Sequence, residues 1–235
     1  MTTTDLNMIR KKTKLIAQVV KPEDTGLTGI VIHPFLNSSE IFIDGNYINI
    51  LNKENYDKWI THFSEIIDKS DLIRLYMLWR DPWKLTFMKY CGECLSEKDY
   101  AKFLADAWVT EENPNMDCNV SRQEVLKMFC SCKKEYLMEQ DDLLYYNRLP
   151  QEIELYRGVS KGRIKLGLSW TDDKEKAIWF MNRWDDNKNC LLKVKANKKD
   201  IIAYFNTRNE SECLLDVFKY KSKIKEVHNI YNTIH

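Results

Sequence analysis

No sign of charge dominates this chain. Lysine and arginine number 36 against 35 aspartates and glutamates, a formal net charge of +1 over 235 residues. Bulk electrostatics therefore make no case for a nucleic-acid or membrane partner. No apolar run is long enough to span a bilayer. The first twenty residues, MTTTDLNMIRKKTKLIAQVV, carry a basic cluster but no apolar core followed by a small-residue cleavage site. No signal peptide is expected there, and no membrane partner. The chain also lacks Gly-x-Ser-x-Gly, Gly-x-Gly-x-x-Gly and a Walker-type loop. That removes the signatures of a serine hydrolase and of the usual phosphate cradles. There is no internal repeat and no low-complexity segment.

What is present is an ordinary globular composition, 44% hydrophobic and 30% charged, with enough length for one large domain or two small ones. The seven cysteines are an odd number. With no export signal, reduced thiols in a cytoplasm are the simplest account. Cys91 to Cys94 form a Cys-x-x-Cys, but Cys130 and Cys132 have the wrong spacing for a common zinc knuckle. Both pairs lie in helical patterns, where buried free cysteine is common, so no metal is expected. His33, His62, His228 and His235 have no cysteine or carboxylate at ligand spacing and read as solvated or core-satisfied.

The patterning sorts the chain into three stretches. Residues 1–53 read as an N-terminal arm with short strands: apolar and polar residues alternate from 27 to 50 around turns at Asn37-Ser38-Ser39 and Asp44-Gly45-Asn46. Residues 54–150 read as a helical layer. Trp59, Phe63 and Ile66 fall at helical spacing, Ser96 with Asp99 and Ser121 with Glu124 mark N-termini, and Pro82 separates two helices. Its many tryptophans and tyrosines, Trp59 to Trp108, read as core. Residues 151–235 read as strand, strand, helix, then four strands, with Ala177, Phe180 and Trp184 as the helix's inner stripe. Strands without intervening helices imply an antiparallel or mixed sheet, so the class is α+β.

Three features of the last stretch stand out. In LYRG, Arg157 ends an apolar strand beside Gly158; a guanidinium there needs an anion, and the glycine admits another backbone or a ligand. In GLSWT, Ser169 and Thr171 share one strand face while Trp170 takes the other. In ESE, Glu210 and Glu212 read as two carboxylates on one face, which repel unless they serve something. Taken singly, each has a plain alternative: a structural ion pair for Arg157, an ordinary strand residue for Ser169, a solvated sheet edge for the glutamates.

Together, in this order, they resemble the arginine–serine–glutamate class of ADP-ribosyltransferases. Ser169-Trp170-Thr171 stands where that family has Ser-Thr-Ser. Glu210-Ser211-Glu212 stands for its Glu-x-Glu, preceded by NTRN in the place of a target-recognition loop. The run also resembles small ADP-ribosyltransferase-like proteins of bacteria and their phages, which would place a phage-encoded chain in its host's cytoplasm. The resemblance covers about the last third of the chain. It departs from the family at Trp170, where a small or polar residue is usual. It implies a β-sandwich of the family's type, NAD as substrate, and a mono-ADP-ribosyltransferase acting on a protein acceptor, arginine by virtue of Glu210. It further implies roles for single residues. Glu212 would hold the nicotinamide ribose and stabilise the developing cation, and Glu210 would orient the acceptor. Arg157 would bind phosphates, Ser169 and Thr171 would line the ribose site, Gly158 would meet the nicotinamide amide, and Phe180 would flank its ring. Two alternatives stay open: an NAD glycohydrolase, and a non-catalytic binding protein on the same scaffold that blocks a host factor.

Overall fold

A computed structural model describes residues 3–184 and 188–227. The end of the last expected strand, residues 228–231 of 224–231, lies outside them, as do His228 and His235. The chain divides into two compact units, Met1–Tyr100 and Ala101–His235.

The first unit opens with a helix that the sequence reading had taken as part of an arm. In α1 (Leu6–Val19), Asp5 caps the N-terminus, its carboxylate accepting from Met8 N at 2.9 Å, and Ile9, Thr13 and Ala17 are buried at four-residue spacing. The basic cluster occupies the rest of its surface and hid that stripe. Next come β1 (Glu23–Asp24) paired with β2 (Val31–Ile32), and the hairpin of β3 (Glu40–Ile43) and β4 (Asn46–Asn49). Asp44 and Gly45 turn this hairpin with φ of 50° and 82°, the left-handed pair that a two-residue hairpin demands. Helix α2 (Lys53–Lys69) buries Tyr56, Trp59, Phe63 and Ile67, so the stripe runs through Ile67 and not Ile66. Trp59 stacks on Phe63 at 4.8 Å, and Phe35 packs edge-on against Trp79 at 4.8 Å. Helix α3 (Leu72–Leu78) ends before a 3₁₀ turn that carries Pro82, after which α4 (Lys84–Cys91) begins. Ser96 receives the Asp99 N–H at 3.1 Å and starts α5 (Glu97–Thr110), which crosses from one unit into the next.

The second unit continues with α6 (Arg122–Cys130), opened by a reciprocal capping box between Ser121 and Glu124. Helices α7 (Lys134–Leu137) and α8 (Gln140–Arg148) follow. Then come β5 (Glu152–Val159), β6 (Ser169–Thr171), α9 (Lys174–Asn182), β7 (Cys190–Asn197), β8 (Ile201–Phe205), β9 (Glu212–Leu215) and β10 (Lys225–Val227). The strands form one six-stranded sheet in the order β10-β7-β5-β6-β9-β8, every pairing antiparallel. The class is α+β, and among the described residues of this unit the strands join a single sheet. Helix α9 lies on β5, burying Ala177 and Met181 against Leu191 with Tyr156 beside them. Its buried stripe is thus Ala177 and Met181. Phe180 is half-buried, and Trp184, expected inside, is 51% exposed. Gly158 explains how the helix comes so close: a Cβ there would sit 1.9 Å from the Ala177 carbonyl oxygen and 2.5 Å from Met181 N.

Candidate functional site

Strand pairing brings the candidate residues together. Tyr156 on β5 pairs with Thr171 on β6, and Thr171 pairs with Glu212 on β9, so three strands present neighbouring side chains in one row. They open into a cavity of about 130 Å³. Arg157, Gly158, Ser169, Thr171, Phe180, Glu210 and Glu212 all border it.

Glu212 is its most constrained group. Its Oε1 accepts the indole N–H of Trp108 at 2.8 Å, and the Ser169 hydroxyl is a second donor to the carboxylate. Burial pushes its pKa above the ordinary carboxylate range, and the Glu210 charge adds to that; the Ser169 and Trp108 hydrogen bonds and the Arg157 charge oppose it. Ser169 is itself positioned: its Oγ accepts from Asn115 Nδ2 at 3.1 Å, while Asn115 Oδ1 accepts from Leu168 N at 2.5 Å. A directional chain therefore runs from Asn115 through Ser169 to Glu212, each donating to the next.

Arg157 spends its fork on the chain. Its Nη1 donates to Ser169 O at 2.7 Å, and Nε and Nη2 donate to Ile164 O at 3.3 and 3.0 Å. Burial lowers its pKa to about 10. The guanidinium thus braces the loop between β5 and β6 and the backbone of Ser169, with two of its five N–H donors left over. Gly167 gives it room, since a Cβ there would lie 2.4 Å from Nη2. Gly158 admits a backbone, that of α9, as well as bordering the cavity. Trp170 is 2% exposed and its indole donates to Gly167 O at 3.0 Å, so the departure from Ser-Thr-Ser is absorbed by the core. The Thr171 hydroxyl oxygen accepts Asp173 N at 3.1 Å and shapes the entry to α9. Phe180 stands edge-on to Trp179 at 5.0 Å.

Glu210 reaches the cavity by a different route from the one its spacing suggests. It precedes β9, flanked by Asn209 and Ser211 at φ of 54° and 49°, so strand alternation does not set its direction. The turn does, helped by Asn206 Oδ1 accepting Ser211 N at 3.0 Å and by Arg208 Nε, 3.2 Å from Glu210 Oε1.

Residues 108–115, which the sequence pattern marks only faintly, also line the cavity: Trp108, Glu111, Glu112 and Asn115. Arg163, Arg183 and Arg208 complete the rim. Glu111 Oε2 is buried with no hydrogen-bond partner, and burial, with the nearby Asp117 charge, pushes its pKa up to about 8. A faint signal existed in the sequence, where an acidic pair and Asn113-Pro114 follow directly on a tryptophan-bearing helix. Only the fold aims that break at β9. Among the described residues no group of histidine, cysteine and carboxylates is placed to hold a metal ion, and no helix is long and apolar enough to cross a membrane.

Comparison with models of known protein families, with curated proteins and with solved structures found no significant match. In its own chemistry the site offers one carboxylate that accepts from two donors, a second carboxylate near it, and several arginines on the cavity lining. That combination suits a substrate that develops positive charge at one end and carries negative charge at the other.

Proposed function

We propose that this chain is an NAD-dependent mono-ADP-ribosyltransferase of the arginine–serine–glutamate class, with an ADP-ribosyltransferase-type fold in its second unit and a protein side chain, arginine, as acceptor. The observation that carries the reading is the convergence of Ser169 and Glu212 on one cavity, with Arg157 bracing the backbone of Ser169 and the loop before it. NAD supplies a nicotinamide–ribose bond that breaks with positive charge developing on the ribose. Glu212 accepts from the ribose hydroxyl and, ionised, stabilises that charge. The two donors already on its carboxylate hold it in place before substrate arrives. Ser169 and Thr171 line the ribose, Gly158 offers backbone to the nicotinamide amide, and Phe180 flanks the ring. Glu210, steadied by Arg208, receives the proton of the incoming guanidine.

The test is incubation of the full chain with NAD labelled in its adenylate, together with cell lysate. Labelled protein and free nicotinamide are expected, both lost in Glu212→Gln. Nicotinamide release without labelled macromolecules would assign an NAD glycohydrolase instead. NAD binding without nicotinamide release would assign a binding protein on this scaffold, for which Trp108 seated on Glu212 is the favouring contact.

A further inference from the structure

The four arginines on the cavity rim are not equally free to meet a ligand. Arg157 is spent on backbone carbonyls. Arg208 holds Glu210 and donates from Nη1 to Val109 O at 3.1 Å. Arg163 and Arg183 differ from both. Their Nη2 atoms lie 3.4 and 3.8 Å from the same oxygen, Glu112 Oε1. Both separations exceed the 2.7–2.9 Å of a well-formed charge-assisted hydrogen bond. The carboxylate between them is 71% exposed and can swing into water at little cost.

The two guanidinium groups are themselves set by the fold. Arg163 follows Gly162, whose φ of 74° turns the loop after β5, and its backbone N–H donates to Ser160 O at 3.0 Å. Its Nη1 is anchored on the Glu112 main-chain oxygen at 2.9 Å, a bond that does not involve the Glu112 carboxylate. Arg183 stands directly after α9, and like Phe180 it borders the cavity. Two forks from separate elements, both near one oxygen of an exposed carboxylate at long separations, fit an anion with more oxygens than a carboxylate has.

We propose that Arg163 and Arg183 form a diphosphate site, and that Glu112 is its internal counter-ion, displaced when a diphosphate-bearing ligand enters. The site rests on the transferase reading only for which ligand brings the diphosphate, and it moves the phosphate-holding role from Arg157 to this pair.

Calorimetric titration of the full chain with inorganic pyrophosphate, ADP-ribose and NAD tests it. In Glu112→Gln, which keeps the main-chain anchor of Arg163, pyrophosphate is expected to bind about tenfold more tightly than to the parent protein. A gain of affinity cannot come from misfolding. Arg163→Gln and Arg183→Gln should each weaken pyrophosphate and ADP-ribose by about tenfold. Pyrophosphate affinity indifferent to both arginine changes, or not raised by Glu112→Gln, overturns the proposal. Nicotinamide release, followed in parallel, separates the two readings. Pyrophosphate held through both arginines without nicotinamide release overturns the transferase alone. Nicotinamide release with binding indifferent to both arginines overturns the diphosphate site alone.

Discussion

Glu212 carries two opposing demands. Burial favours its neutral form and raises its pKa, yet stabilising a cation requires the ionised one, and the Ser169 and Trp108 donors offset part of that rise. Replacing Trp108 by Phe keeps a ring in place and removes one donor. The ionised form loses support, so the pKa rises, and the acid limb of the pH profile of kcat is expected to move up by about one pH unit. An indole that merely filled space would leave that limb where it was. Ser169 and Glu212 could be picked out from the sequence because their spacing and order were informative. Trp108 could not, because a tryptophan on an amphipathic helix reads as core, and it is core: 1% exposed, with only its N–H reaching the site.

At the scale of elements, α9 packs directly on β5 through a glycine. Gly158 sits 1.9 Å, by the position its Cβ would take, from a helix carbonyl. Gly158→Ala must push the helix outward or bend the strand. A loss of about 3 kcal/mol is expected in denaturant unfolding, with nicotinamide release falling more steeply than stability because Phe180 and Arg183 ride on or beside the displaced helix. The order of elements from β5 to β10 was legible, since turn residues, alternation and one stretch of helical spacing mark each boundary. Two readings failed at this scale. The α1 stripe of Ile9, Thr13 and Ala17 has only one large apolar residue, so periodicity was weak where Lys and Arg were dense. Glu210 lies outside β9, and its direction comes from backbone at φ near 50° on either side of it, which residue spacing does not encode.

At the scale of the whole molecule, the two units respond to pH in opposite senses. In the first, His33 is fully buried between Val20 O and the Tyr56 hydroxyl, and burial lowers its pKa from 6.5 to about 4. Unfolding below pH 6.5 takes up a proton, so this group's contribution falls as pH drops from 6.5 and levels off near 4. In the second, Glu111 keeps its proton up to about pH 8 against an ordinary 4.5, so the folded form binds the extra proton and stability falls as pH rises from 4.5 through 8. Between about pH 4.5 and 6.5 the two effects nearly cancel, so denaturant midpoints of the full chain are expected to be flat there and to decline from about pH 6.5 to 8. Glu111→Gln should remove the alkaline decline and uncover the His33 decline as pH falls below 6.5; an unchanged alkaline decline would show that another group causes it. By itself the sequence determined the α+β class, the run of elements from β5 to β10 and the candidacy of Ser169, Glu210 and Glu212. Alternation, turn chemistry and caps are local, and they act over a few neighbouring residues. Only the tertiary structure decided that residues 108–115 line the same cavity, that Arg157 serves the backbone and that Arg163 and Arg183 share Glu112. Those contacts join positions up to 104 residues apart, and their geometry depends on how the helices and the sheet pack.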